Sequence, residues 1–136
     1  MKLDYVGKKS EKEILAKARS FKGSVKNIDD SLLLKGDNFM ALSSLLPIYA
    51  GKIDLIYIDP PFNTNQTFTV EGGRASTISR KKNAMVAYSD QMTPSEYIEF
   101  MRERLILLRE LLSEEGSIYL HIDMKMGRLV DRKSVV

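Results

Sequence analysis

The sequence contains no cysteine. This absence excludes disulfides, thiolate zinc sites and cysteine nucleophiles, and also the zinc-dependent base deaminases, whose metal needs such ligands. Long apolar runs are missing too, because charged residues interrupt every hydrophobic segment before it reaches the roughly 20 residues of a bilayer span. Residues 1–21 lack the uninterrupted apolar stretch of a signal peptide. We therefore expect a cytoplasmic protein with no membrane partner.

The composition is that of a folded domain. With 136 residues, the chain is long enough for one compact domain and too short for two ordinary ones. Its hydrophobic fraction of 43% and charged fraction of 29% are typical of globular proteins. The net charge of +3 suits a polyanionic partner such as nucleic acid but does not require one.

Helical and strand patterns alternate in the first half of the chain. Residues 10–21 are typical of a weakly amphipathic helix, which we interpret as a solvated accessory helix. Residues 31–35 (SLLLK) form a short apolar run that predicts a buried strand. The pair Asp37-Asn38 then favours a helix start, and apolar residues recur at helical spacing up to Pro47. A second strand, Ile53–Ile58, is predicted after a turn at Gly51.

The second half predicts a long loop, a helix and a third strand. Residues 63–90 show no sustained period, which indicates a long polar loop. Thr93 and the residues after it match a helix cap, and we predict a helix over residues 94–114 that Gly116 stops. Its apolar stripe is predicted to be core: Tyr97, Met101, Leu105, Leu108 and Leu112. Residues 117–122 predict the third strand.

This order of elements predicts an α/β fold with a parallel sheet. In such sheets ligands bind beyond the carboxyl ends of the strands. Three short segments fall at predicted carboxyl ends, namely Gly36-Asp37, Asp59-Pro60 and residues 121–123.

The segment IDPPF ends the predicted second strand with an acid that could carry chemistry. Pro60 and Pro61 cannot donate to a sheet ladder, so Asp59 lies at the end of the strand. An exposed aspartate is ionised at neutral pH. Its carboxylate and the carbonyl of Pro60 could accept the two N–H bonds of a nucleobase amino group, and Phe62 could stack on an unstacked base. The structural alternative is a rigid turn with an aromatic cover.

At these residues the sequence resembles the amino-methylating DNA methyltransferases, which carry a D/N/S-P-P-Y/F/W motif. The resemblance covers residues 32–123 and is similar to the amino-terminal part of type III restriction–modification Mod subunits and related adenine methyltransferases. It implies a partial doubly wound, Rossmann-like and mainly parallel sheet, and methyl transfer from S-adenosylmethionine to adenine in double-stranded DNA. It further implies a restriction (Res) subunit and a homodimer as partners.

The resemblance also implies roles for individual residues. The catalytic tetrapeptide matches Asp59, Pro60, Pro61 and Phe62. The cofactor would contact Asp37, Asn38 and Asp59, although Asp37 could equally be a helix cap. The base pocket would include Phe62, Asn63 and Thr64. Independently of the resemblance, the positive charges of Arg74, Arg80, Lys81 and Lys82 could bind nucleic acid by neutralising phosphates, with a solvated basic loop as the alternative. No metal site is expected, and the lone His121 is interpreted as structural.

The sequence departs from the family pattern in lacking its glycine-rich cofactor loop. We divide the chain into a helical extension (1–30), the amino-terminal part of a catalytic domain (31–123) and a tail (124–136) expected to be the remnant of a truncated reading frame. Such a fragment is expected to be inactive alone. The alternatives are a non-catalytic nucleic-acid-binding fold and a methyltransferase for the cytosine amino group or for RNA.

Overall fold

The computed structural model describes residues 4–23, 25, 31–61, 67–71, 74–76, 85–89, 92–124, 127 and 130. The helices are α1 (Glu11–Arg19), α2 (Asn38–Tyr49) and α3 (Pro94–Leu111). The strands are β1 (Ile53–Ile58), β2 (Thr67–Glu71), β3 (Arg74–Ser76), β4 (Met85–Ser89) and β5 (Leu112–Leu120). None of the helices within these residues combines the length and the apolar composition needed to cross a membrane.

Strands β1 and β5 form a parallel pair, and α3 lies on the connection between them. Partners across the pair include Ile56 with Ile118 and Ile58 with Leu120. A parallel pair needs a long crossover connection, which α3 supplies. The predicted bounds of β1 and its parallel pairing are therefore confirmed, and the protein has a mixed α/β structure.

A second sheet is antiparallel, with strand order β3-β2-β4. It lies within residues 63–90, for which we predicted a long loop, so that prediction is wrong. Strands of three to five residues are too short to show a sustained period in a sequence, and they depend on a partner strand for their hydrogen bonds. Among the described strands, β1 and β5 form the parallel pair, and the three strands of the second sheet are antiparallel.

Residues 31–35 are described and do not form the predicted strand. A strand requires a neighbour for its backbone hydrogen bonds, and no described strand pairs with this segment. Leu33 is 91% exposed, so the segment is not buried either. The prediction of a buried strand from this apolar run is therefore wrong.

Helix α2 begins as predicted and ends slightly later. The Asp37 side chain accepts a hydrogen bond from the Met40 backbone N–H at 3.0 Å, which caps the helix. The helix continues past Pro47 to Tyr49. A proline in the last turn removes only one hydrogen bond near an end whose carbonyls are already short of partners.

Helix α3 ends earlier than the predicted residue 114, for a tertiary reason. The carbonyls of Glu110 and Leu111 accept hydrogen bonds from the backbone N–H groups of Gly51 and Lys52, at 2.9 and 3.1 Å. These bonds satisfy the end of the helix, and β5 begins at once. Gly116 therefore lies inside β5 and does not stop the helix. A Cβ atom at this position in β5 would come within 2.8 Å of the carbonyl oxygen of Ile53.

The hydrophobic core has two parts, one on each side of α3. The first contains the residues between α3 and the parallel sheet, namely Ile56, Tyr97, Met101, Leu105, Leu108 and Val130. The second joins α3 to α1 and α2 through Ile14, Ala18, Phe39, Ile106 and Leu107. The predicted apolar stripe is thus confirmed as core, with Leu112 partly buried beside it.

Helix α1 is a packed element and not the solvated helix that we predicted. Its bounds agree with the sequence pattern, and Ser10 and Glu13 form a capping box at its start. Ile14 and Ala18 are each only 1% exposed. The weak amphipathic pattern of the sequence therefore marks a narrow but fully buried contact face.

Candidate functional site

The candidate site begins where β1 and β5 leave the parallel sheet together. Ile58 pairs with Leu120, and the carbonyl of Ile58 accepts a hydrogen bond from the His121 backbone N–H at 2.9 Å. Two prolines follow Asp59 and cannot continue the ladder. The acid and the histidine are consequently the first residues after two neighbouring strands, side by side at the carboxyl edge of the sheet.

The side chains of Asp59 and His121 are in direct contact. His121 Nδ1 lies 3.0 Å from Asp59 Oδ1, and the two side chains are 59% and 60% exposed. A carboxylate can only accept hydrogen bonds, so the imidazole Nδ1 is the donor in this pair. Within the described part of the chain, this contact engages Oδ1 and leaves Oδ2 as the oxygen for a further donor.

The remaining residues of the tetrapeptide are described only in part. Pro60 and Pro61 are half-buried, which holds the backbone after Asp59 against the protein. Phe62, Asn63 and Thr64 lie outside the described residues, as do Arg80, Lys81 and Lys82. Arg74 is described by its backbone alone, in β3.

The predicted cofactor residues Asp37 and Asn38 lie at the start of α2 and contact α3. Arg104 Nε donates to Asn38 Oδ1 at 2.8 Å, and Arg104 Nη2 lies 3.9 Å from Asp37 Oδ2. Burial lowers the pKa of the Arg104 guanidinium, and the carboxylates of Glu103 and Asp37 oppose that effect. The cap predicted for Asp37 is confirmed, and its side chain is still 53% exposed.

A group of buried charges links the N-terminal segment to α3, and the sequence patterns did not predict it. Arg102 is 6% exposed; its Nη1 donates to the carbonyl of Lys9 at 2.7 Å and lies 3.5 Å from Glu99 Oε1. The Tyr5 hydroxyl donates to Glu99 Oε2. Burial and the carboxylate of Glu99 raise the pKa of Tyr5 above its ordinary value.

An open groove of about 400 Å³ lies beside these charges. The N-terminal segment and the first half of α3 line it, with Val6, Lys9, Glu99 and Arg104 among the lining residues. The burial of Arg102 could have been predicted from the sequence, because this residue lies between two apolar faces of α3. The partners from the N-terminal segment lie more than 90 residues away in sequence, so no local pattern identifies them.

Comparison with known proteins gives a consistent result. The profile of the family described as DNA methylase matches residues 53–133. The chain is 39% identical over 132 residues to the type II methyltransferase M.EcaI of Enterobacter cloacae, covering 91% of this chain and 26% of that protein. No solved structure matched.

Two type III relatives are also similar. The probable HindVI Mod subunit of Haemophilus influenzae is 34% identical over 94 residues, covering 69% of this chain and 10% of that protein. The EcoPI Mod subunit of Escherichia phage P1 is 32% identical over 118 residues, covering 74% and 18%. The chain thus spans between a tenth and about a quarter of the length of these three relatives.

Proposed function

This chain belongs to the DNA methylase family, and from that membership we propose that it forms the part of a DNA methyltransferase that holds the target amino group. The observation that carries the proposal is the exposed carboxylate of Asp59 at the carboxyl edge of the parallel sheet. Ligands of open α/β sheets bind at such edges. The substrate proposed is the amino group of adenine in double-stranded DNA, as the D-P-P-F motif favours.

Asp59 and Pro60 would act together on the amino nitrogen. The lone pair of that nitrogen is delocalised into the ring, which makes it a weak nucleophile. One N–H of the amino group donates to Asp59 Oδ2 and the other to the Pro60 carbonyl, and the half-buried prolines hold the backbone that carries both acceptors. This geometry favours a tetrahedral nitrogen, so the lone pair becomes available for attack on carbon.

Phe62, Asn63 and Thr64 complete the base pocket in this proposal. Stacking of a base on an aromatic ring contributes roughly 1–3 kcal/mol, which offsets much of the few kcal/mol that unstacking costs. Arg80, Lys81 and Lys82, and Arg74 before them, would contact phosphates and make DNA binding dependent on salt.

The cofactor proposed is S-adenosylmethionine, which when bound supplies a methyl carbon on a positively charged sulfur. The residues proposed to hold it are Asp37 and Asn38, together with Asp59. Asp37 fits that role, because one oxygen caps α2 while the half-exposed side chain keeps acceptor capacity for a hydroxyl group. Arg104 Nε donates to Asn38 Oδ1, which holds the Asn38 side chain at the start of α2.

The proposal extends to the whole protein and its partners. We propose that β1 and β5 belong to a larger, Rossmann-like and doubly wound sheet, since Leu55 and Tyr57 leave one face of the pair exposed and parallel sheets are normally covered on both faces. Two relatives are named as type III Mod subunits. On that similarity we propose a place in a restriction–modification system, with a homodimer and a Res subunit as partners.

A chimera tests this function. The chain replaces the matching segment of M.EcaI, and transfer of labelled methyl groups to DNA that M.EcaI modifies is measured, with the methylated base identified by mass spectrometry. We expect N6-methyladenine from the chimera and a loss of at least a hundredfold in kcat from its Asp59→Ala variant. Ser117→Ala, an exposed substitution in β5, serves as the matched control.

Each other outcome has a defined meaning. N4-methylcytosine as product would replace adenine by cytosine as the target. Parental activity in the Asp59→Ala chimera would remove Asp59 from the reaction. A chimera that binds DNA, folds and transfers no methyl group would support a non-catalytic nucleic-acid-binding role.

A further inference from the structure

His121 has no part in the chemistry proposed above, yet it contacts the central carboxylate. We propose that His121 is a positioning residue, which donates its Nδ1–H to Asp59 Oδ1 and so orients Oδ2 toward the amino group of the target base. The geometry behind this proposal is the 3.0 Å contact between the two side chains. The inference rests on the proposed function, because the orientation of Asp59 matters only if Asp59 binds a substrate.

The register of the two parallel strands places Asp59 and His121 side by side, so the contact does not depend on flexible side chains alone. Ile58 and Leu120 are partners in the parallel pair, so the next residue on each strand must lie beside the other, at the usual strand spacing of about 4.8 Å. The backbone N–H of His121 extends the ladder by one bond, to the carbonyl of Ile58. The imidazole is therefore held next to the carboxylate by two neighbouring strands.

The contact is poorly suited to stabilising the fold. Both side chains are more than half exposed, and interactions between exposed charged or polar groups contribute little to the stability of a fold. A carboxylate on a two-bond stem can rotate in solvent, however, and only some orientations allow one oxygen to receive the amino N–H. Fixing the orientation before the substrate arrives removes that entropic cost from the reaction.

His121 also provides a suitable donor for this task. The neutral imidazole donates one hydrogen bond at Nδ1 without neutralising the carboxylate, so Asp59 keeps its negative charge for the base. A lysine or arginine in this place would bring a permanent positive charge and up to five competing donors. The choice of a histidine is therefore consistent with orientation as the main effect.

The first test measures methyl transfer in the chimera with M.EcaI. His121→Phe keeps a planar ring but removes the donor, and we expect kcat to fall by about threefold to fivefold with little change in KM for S-adenosylmethionine. His121→Asn keeps an N–H donor close to the position of Nδ1, and we expect it to restore most of the lost kcat. A general structural role would predict equal losses in the two variants.

The second test needs no activity and uses the 136-residue chain itself. Because the sequence has a single histidine, the nitrogen NMR spectrum of the imidazole contains signals from His121 alone. We expect the neutral ring to carry its proton on Nδ1 in the parent chain. In Asp59→Ala the carboxylate acceptor is gone, and we expect the proton to move to Nε2 in a measurable fraction of molecules.

The outcomes separate this inference from the proposed function. If Asp59→Ala abolishes methylation while His121→Phe retains the parental kcat, the positioning role is overturned and the proposed function stands. If both variants retain activity, the assignment of Asp59 fails first. An Nε2–H tautomer in the parent chain would overturn the positioning role, whatever the activity of the chimera.

Discussion

At the scale of single residues, the notable feature is a charge inside the protein. Arg102 is 6% exposed and has partners on two segments, the carbonyl of Lys9 and the carboxylate of Glu99. A buried ion is tolerated only if its donors and its charge are satisfied. The contacts of Arg102 with the N-terminal segment therefore link residues 4–9 to the middle of α3.

Substitution of Arg102 by methionine tests this link. Arg102→Met removes the cation beside the Glu99 carboxylate and the donor to the Lys9 carbonyl, so we expect the free energy of unfolding to fall by about 3 kcal/mol. Urea denaturation followed by circular dichroism gives the value. The matched control is Arg19→Met, because Arg19 is 70% exposed and lies 3.8 Å from Glu110. We expect a change of at most about 0.5 kcal/mol there, and equal losses in both variants would contradict the argument.

At the scale of elements, capping boxes stabilise the starts of α1 and α3. Thr93 Oγ1 accepts from the Glu96 backbone N–H, and the Glu96 carboxylate accepts from the Thr93 backbone N–H at 2.8 Å. Ser10 and Glu13 make the same arrangement at the start of α1. The hydrogen bonds from Thr93 lower the pKa of Glu96, and those from Ser10 lower the pKa of Glu13.

The lowered pKa of Glu96 predicts how the stability that its capping box gives to α3 changes with pH. A carboxyl group whose pKa is lower in the folded state contributes stability above its unfolded-state pKa, here 4.5, and loses that contribution as the pH falls through the folded-state pKa. We expect Glu96→Gln to be less stable than the parent at pH 7, with a difference that shrinks below pH 4.5. Urea denaturation at a series of pH values measures it.

Two controls accompany the acid series. Thr93→Ser keeps the capping hydroxyl and should follow the parent, whereas Thr93→Ala should lower the free energy of unfolding by about 1 kcal/mol at pH 7. A difference between Glu96→Gln and the parent that stays constant down to pH 3 would show that the carboxylate charge is not responsible.

At the scale of the whole molecule, α3 is the element that the other elements share. One side packs on the parallel sheet through Met101 and its neighbours, and the other side packs on α1 and α2 through Leu107. Leu107 is fully buried. A disturbance of α1 should consequently spread to α3 and to the sheet.

Truncation of a buried side chain in α1 tests this coupling. Ile14→Ala is expected to lower the free energy of unfolding by about 2–5 kcal/mol, because the side chain is 1% exposed in the cluster with Phe39 and Ile106. Hydrogen exchange should also become faster in α3. Leu15→Ala is the control, since Leu15 is only partly buried and a smaller loss is expected. Unchanged exchange in α3 would mean that α1 folds as a separate unit.

Features that depend on neighbouring residues could be predicted from the order of amino acids alone. The apolar run of β1, its end at Asp59 before two prolines, the Asp37 cap and the start of α3 at Thr93 all follow from short-range geometry and hydrogen bonding. These features are also the ones that position the candidate carboxylate at a sheet edge.

Features that need a partner far away in the sequence became visible once the chain was folded. The segment 31–35 has no neighbouring strand among the described residues. The end of α3 is determined by backbone donors 59 residues earlier. His121 contacts Asp59 because of the register of two strands. A hydrogen bond between residues far apart in sequence depends on how the chain packs, and no local pattern of residues encodes that packing.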